Sequence, residues 1–166
     1  MLYAFVLFLH SNLRWLVLLS GVVLAVSSLV AWRKGRGWEK SDNWLHIAYV
    51  SAFDTAMLFG LWLYIFLSPF PRLLFSDPAS GMRDPMLRFF GIEHATLMVL
   101  AGVLVHVGRV MSKRAKDGAA RHRWVWSSVL ASLLVILIAI PWPGSATRGR
   151  PLLRGLPTAS APTPTP

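Results

Sequence analysis

The 166-residue chain contains no cysteine, and it has only seven acidic residues against seventeen lysines and arginines. The lack of cysteine excludes disulfides, thiolate catalysis, thioether attachment of haem and iron–sulfur clusters, so any metal must be held by histidine, methionine or carboxylate. A glycine-rich phosphate loop, an H-E-x-x-H pair and a nucleophile elbow are also missing, and these are the motifs that a soluble-type hydrolase or kinase would carry. We therefore assign no catalytic side chain from the sequence.

Apolar sequence is abundant instead, in four runs near or above the roughly 20 residues that cross a bilayer. The runs predict membrane spans at about 2–32, 44–67, 88–110 and 123–141. Trp124, Trp126 and Trp142 flank the shortest run as interfacial anchors would, which favours four spans over three. The N-terminal run has no basic n-region and is too long for the apolar core of a cleaved signal peptide, so we interpret it as the first span.

The connections predict how these spans are arranged. The first connection is short, which makes spans one and two antiparallel neighbours, and the second is longer, proline-rich and able to form a small structured cap. We therefore predict an all-α membrane protein, an up-down four-transmembrane-helix bundle over residues 1–145, in which a cofactor would lie between facing helices. The remaining residues, 146–166, are rich in Pro, Thr and Ala and are predicted to be disordered. Small residues predicted at close helix contacts are Gly21, Ala25, Ser28, Ala101 and Gly102.

The charge distribution predicts an orientation in the membrane. Ten basic residues lie in the first and third connections and at the adjoining span ends, and six lie in the second connection and the tail. By the positive-inside rule the first and third connections face the cytoplasm and both termini face the periplasm. We interpret the net charge of +10 as contact with anionic lipid headgroups and not as nucleic-acid binding.

Several ionisable side chains lie inside the predicted spans, where they are costly and mark functional positions by default. Span one carries His10 and Arg14, four residues apart and so on one helix face. Span two carries Asp54 near its middle, and span three carries Glu93 and His94. At 1.5 Å per residue, His10 lies roughly 13 Å from the outer end of its span and His94 roughly 9 Å, so the two could face each other at one level.

Two imidazoles from facing helices can form the axial pair of a haem iron, so we predict that His10 and His94 are metal ligands of haem b. Haem also has two propionates, which favour cations near the membrane surface. Arg14 and Arg88 are spaced to supply them. This hypothesis predicts a protein that passes electrons from a membrane donor such as quinol to a periplasmic or membrane acceptor.

Other interpretations of the same residues stay open. Arg14 could pair with Asp54 or Glu93 to hold the helices in register. The protein would then be a cofactor-free structural or accessory subunit of a larger membrane complex, with a buried polar network of Arg14, Asp54, Glu93 and His94. Asp54 or Glu93 could instead accept a proton or contact a quinone. A third alternative is a pigment-binding subunit, in which His10 or His94 alone ligates a chlorophyll magnesium.

The other histidines carry weaker signals. His46 and His106 each lie three residues inside a polar boundary, which allows a second haem site, although His94 and His106 are separated by about 120° around their helix at ~100° per residue. We therefore favour histidines at the membrane interface for this pair. His122 lies in a basic connection and is predicted to be solvated.

Three segments resemble small bacterial four-span membrane proteins labelled cytochrome-b-like. They are "HSNLRW" opening span one, "MRDPMLRFFGIEH" leading into span three and "IPWP" closing span four, and their order and spacing match over about 140 residues. The resemblance implies a bundle of this topology in the bacterial inner membrane, with His10, His94 and Arg14 as signature positions. His46, His106 and Asp54 are not part of that signature.

Overall fold

The computed structural model describes residues 1–156, which form helices and no strand. Four helices are long and apolar enough to cross a membrane: Leu2–Arg33, Lys40–Leu67, Pro85–Arg114 and Gly118–Ala139. The prediction of an all-α four-helix membrane bundle is thereby confirmed. The elements in chain order are α1 (Leu2–Arg33), α2 (Lys40–Trp62), a π-helical turn π1 (Leu63–Leu67), α3 (Pro69–Ser76), α4 (Pro78–Gly81), α5 (Pro85–Arg88), a second π-helical turn π2 (Phe89–Glu93), α6 (His94–Arg114) and α7 (Gly118–Ala139).

Three of the four long helices begin a few residues before the hydrophobic runs that predicted them. Helix α2 begins after Glu39, whose side chain and that of Asp42 form a capping box. Helix α7 begins after Asp117, whose carboxylate accepts a hydrogen bond from the Ala120 N–H at 2.7 Å. Capping residues are polar, so hydropathy alone places these helix starts too late.

The four long helices pack as an antiparallel bundle in which α1 contacts α2 and α7, and α6 contacts α7. Helices α2 and α6 are less closely packed, which leaves a cleft between them. The predicted small residues are all buried, as expected. At Gly21, for example, an added Cβ would lie 2.8 Å from the Tyr49 ring, and the Tyr49 hydroxyl in turn bonds the buried Ser132 hydroxyl at 2.7 Å.

The two ends of the bundle differ in structure. The basic end carries the α1–α2 turn (34–39) and the α6–α7 turn (115–117), and the capped end carries α3 to α5. At the capped end Leu74 is fully buried against Gly81 and Gly91, and the Tyr64 hydroxyl donates to the Gly91 carbonyl at 2.7 Å. The proline-rich connection therefore forms a small structured cap, as the sequence predicted.

After α7 the chain returns to α1 as a segment of residues 141–156, here called the strap. Ile140 is extended, as a residue before proline prefers, and this ends α7 at Ala139. Further along, the Trp15 indole N–H donates to the Leu152 carbonyl at 2.8 Å and the Asn12 amide donates to the Arg154 carbonyl at 3.1 Å. The first part of the tail that was predicted to be disordered, residues 146–156, thus packs against α1. Residues 157–166 lie outside the described residues.

Candidate cofactor site

His10 lies on the face of α1 that packs against α2. Its Nδ1 is 2.9 Å from the carbonyl oxygen of Ala56. Gly60, one turn further along α2, makes this approach possible, because a Cβ there would lie only 2.9 Å from Cε1 of the His10 ring. The absence of a side chain at Gly60 therefore positions the imidazole.

His94 is the first residue of α6 and follows the π-helical turn π2 directly. Its Nδ1 is 2.9 Å from the carbonyl oxygen of Ala139, the last residue of α7. The final carbonyls of a helix lack intrahelical partners, so this oxygen is free to accept. The end of α7 at Ala139 thus leaves a free carbonyl that orients His94.

The two imidazoles meet inside the bundle, as their predicted depths allowed. Their ring centroids are 6.2 Å apart and the rings are nearly perpendicular, at 84°. A carbonyl oxygen can only accept, so Nδ1 carries the hydrogen in both rings, and a neutral imidazole then presents a lone pair on Nε2. A histidine that ligates a metal through one ring nitrogen usually donates the N–H of its other ring nitrogen to a carbonyl or carboxylate, because this hydrogen bond fixes the tautomer and the ring orientation.

A largely apolar cavity of about 520 Å³ surrounds this pair. Side chains from all four long helices line it, and Leu61 of α2 and Val99 of α6 do so while remaining exposed on the outer surface of the bundle. The cavity therefore reaches the cleft between α2 and α6, on the face that lipid would cover. Its volume is within the range of about 300–1,000 Å³ typical of small-molecule and cofactor sites.

Three arginines line the cavity: Arg14, Arg150 and Arg154. Arg14 donates to the strap carbonyls of Pro151 (2.9 Å) and Leu152. The Arg150 guanidinium lies over the Phe90 ring, 4.9 Å from its centroid, and partial burial lowers the pKa of Arg150. Arginine nevertheless stays charged in proteins, so the cavity combines apolar walls with fixed cations.

The other predicted polar residues are engaged elsewhere. Glu93 accepts from Arg88 at 2.7 Å and lies 3.7 Å from Arg148, and Asp54 lies 3.0 Å from Nε2 of His106. The ion pair considered between Arg14 and Asp54 or Glu93 is therefore not found among residues 1–156. Arg88 pairs with Glu93 and is not among the residues that line the cavity. The cation expected from Arg88 is instead present in the strap residue Arg150, which does line the cavity.

The burial of the remaining histidines differs from what the sequence predicted. His46 is only 1% exposed and faces the Trp38 ring, whereas the His106 side chain is 55% exposed. The solvated position predicted for His122 is wrong, because its side chain is fully buried beneath the α1–α2 turn, with Nε2 3.3 Å from the Gly37 carbonyl and the Trp38 ring close by. Among residues 1–156, His46 and His106 show no contact with each other comparable to that of the His10–His94 pair.

Within residues 1–156 no three His, Asp or Glu side chains converge in a way that would hold a metal ion by themselves. A zinc ion is usually held by three or four protein ligands. A haem iron receives its equatorial ligands from the porphyrin and needs the protein only at its axial positions. The donor set at His10 and His94, two imidazoles in an apolar cavity lined by arginines, therefore fits haem.

Comparison with known proteins gave no match to a family model, to a curated protein or to a solved structure. The resemblance to cytochrome-b-like proteins accordingly stays a prediction that rests on the three sequence segments.

Proposed function

We propose that this protein binds one b-type haem in the cavity around His10 and His94 and transfers single electrons within the membrane. The observation that carries the proposal is the paired orientation of the two imidazoles, each held by a main-chain carbonyl so that Nε2 is left for a ligand. Haem bound there would supply reversible one-electron chemistry, at a potential set by its axial ligands and by the low dielectric of the cavity.

The roles of the other residues follow from their positions. Arg14, Arg150 and Arg154 would pair with the carboxylates of the cofactor, and Phe90 packs beside the His94 ring, with centroids 6.4 Å apart. Occupation of both axial positions by His10 and His94 would favour electron transfer over oxygen chemistry. The lateral cleft between α2 and α6 supports quinol as the membrane donor, because a lipid-soluble molecule could approach through it.

The test is a dithionite-reduced minus oxidised absorption spectrum of the detergent-purified protein, with a pyridine haemochrome assay for stoichiometry. We expect low-spin b-type bands at about one haem per chain, the single haem that one axial pair would hold. His10→Ala and His94→Ala should each abolish haem uptake. His106→Ala is the matched control, since that histidine is exposed and should be replaceable without loss.

Three outcomes would contradict the proposal. Full haem content in a folded His94→Ala protein would show that the ligand assignment is wrong. A wild-type preparation that stays colourless after haem is supplied during expression would instead favour a cofactor-free accessory subunit. A spectrum of chlorophyll in place of haem would favour the pigment-binding alternative.

We also propose that the protein lies in the bacterial inner membrane with its basic end toward the cytoplasm. The support is the excess of lysine and arginine in the two turns and the adjoining helix ends at that end. Reporter fusions after residue 116, in the α6–α7 turn, should report a cytoplasmic location. A periplasmic signal from the same fusion would invert the topology and place the candidate haem at the cytoplasmic side.

A further inference from the structure

A second cavity, of about 370 Å³, lies at the basic end and shares no residue with the first. The α1–α2 turn, the start of α2 and the first turn of α7 form its walls. The lining residues are Trp38, Glu39, Lys40, Asn43, Trp44 and Arg121.

Hydrogen-bond donors are concentrated in this cavity. Arg109, from α6, donates from Nη2 to the Asn43 Oδ1 at 2.9 Å, which occupies the amide oxygen and leaves the Asn43 NH₂ group as a donor. The Arg121 guanidinium lies 4.4 Å from the Trp38 ring centroid, and Lys40 contributes an ammonium group. The site thus combines two cations with an oriented amide.

Part of this donor capacity is unused by the protein. Nη1 of Arg109 and Nε of Arg121 are shielded from solvent and have no hydrogen-bond partner within residues 1–156. The two guanidinium groups also lie close enough for their charges to interact unfavourably. Buried donors without partners are costly, so an anion that accepted from the Arg121 guanidinium, which lines the cavity, would be bound favourably.

The neighbouring carboxylates, Glu39 and Asp42, only partly offset these cations, and both pair with another arginine. Arg36 lies 2.6 Å from Asp42 and 2.8 Å from Glu39, and these two carboxylates raise the pKa of Arg36. Four cations, Arg36, Lys40, Arg109 and Arg121, thus face two carboxylates, and the surroundings of the cavity keep a net positive charge that favours an anion.

The position of the cavity indicates the source of that anion. It lies at the end of the membrane spans, and Trp44 lines it while remaining 68% exposed, as an aromatic side chain at the headgroup level would be. We infer that the cavity is a binding site for the phosphate of an anionic phospholipid headgroup, with Arg121, Lys40 and Asn43 as direct contacts and Arg109 as the residue that positions Asn43. Basic pockets between spans bind anionic headgroups by the same chemistry.

The experiment measures the melting temperature and bound lipid of the purified, detergent-solubilised protein, by thermal unfolding and native mass spectrometry. The probes are phosphatidylglycerol, phosphatidylcholine and inorganic phosphate. We expect phosphatidylglycerol to raise the melting temperature and to remain bound as a discrete adduct, and the other two to do neither. Equal retention of phosphatidylcholine, or equal stabilisation by inorganic phosphate, would overturn the assignment to an anionic lipid.

Variants separate a defined site from diffuse attraction. Lys40→Gln with Arg121→Gln should weaken phosphatidylglycerol binding roughly tenfold or more. The control, Lys34→Gln with Arg114→Gln, removes the same charge from exposed positions outside the cavity and should retain binding. Equal losses in the two double variants would refute a defined site.

A single isosteric substitution provides a second test in case the Lys40→Gln/Arg121→Gln variant fails to fold. Asn43→Asp keeps an oxygen acceptor for Arg109, so the helix contact should survive, but it replaces the amide donor with a negative charge. We expect a normal melting temperature without lipid and loss of the stabilisation by phosphatidylglycerol. Undiminished stabilisation in this variant would overturn the proposed contact.

Discussion

Gly60→Ala tests whether the absence of a side chain on α2 positions His10. The new Cβ would lie 2.9 Å from Cε1 and 3.3 Å from Nδ1 of the imidazole, so the ring must move. Movement weakens its 2.9 Å hydrogen bond to the Ala56 carbonyl, which is worth about 1 kcal/mol. Crowding adds about 1–3 kcal/mol. The better helix propensity of alanine returns about 0.5–1 kcal/mol.

The net expectation is a loss of roughly 1–3 kcal/mol in the free energy of unfolding. A chain of this length should melt lower by about 2–4 °C per kcal/mol, a shift that thermal unfolding in detergent resolves. The decisive control is the same substitution in a His10→Ala background, where the clash is gone and Gly60→Ala should be neutral or slightly stabilising. An equal loss in both backgrounds would refute the argument that Gly60 accommodates the His10 ring.

Three further predictions concern the core and the strap (141–156). Ser132→Ala should destabilise the bundle by about 1–3 kcal/mol, because it leaves the buried Tyr49 hydroxyl without its partner. Tyr49→Phe should cost less, about 0.5–1.5 kcal/mol, because the Ser132 hydroxyl still donates to the Val129 carbonyl, and a double-mutant cycle in thermal unfolding should give a clear coupling energy. Gly21→Ala should lower the melting temperature, since its Cβ would lie 2.8 Å from the Tyr49 ring, and an unchanged melting temperature would contradict the close packing of α1 and α2. Arg14→Ala removes two hydrogen bonds to the strap, so limited trypsin digestion should cleave the strap faster while global melting changes little.

Hydropathy and length were sufficient to predict the bundle and its four spans, because a spanning helix must be long and apolar. The facing pair His10 and His94 could also be predicted, since depth follows from residue count along each helix. Helix ends were less predictable: a capping residue such as Asp117 is polar and lies outside the apolar run.

The surroundings of the histidine pair could not be predicted from residue types. The partners of His10 and His94 are main-chain carbonyls, which any residue carries, and Gly60 is defined only by the ring that packs against it. Arg150 reaches the cavity because the strap folds back on α1, a long-range contact without local sequence signal. His122 is buried because the α1–α2 turn covers it, so a basic composition was a poor guide to its exposure.

The use of main-chain oxygens to orient both imidazoles has a consequence for the evolution of this site. A carboxylate that orients a histidine can be lost through one codon change, but the carbonyls of Ala56 and Ala139 persist whatever small side chain occupies those positions. The side chains around the two histidines can therefore change during evolution while Nδ1 of each ring keeps its hydrogen-bond acceptor and hence its hydrogen. The vulnerable feature is the pair of prolines after α7. Pro141 ends the helix, and Pro143, four residues after Ala139, has no N–H with which to bond the Ala139 carbonyl. Replacement of both prolines would let a longer α7 compete with His94 for this acceptor.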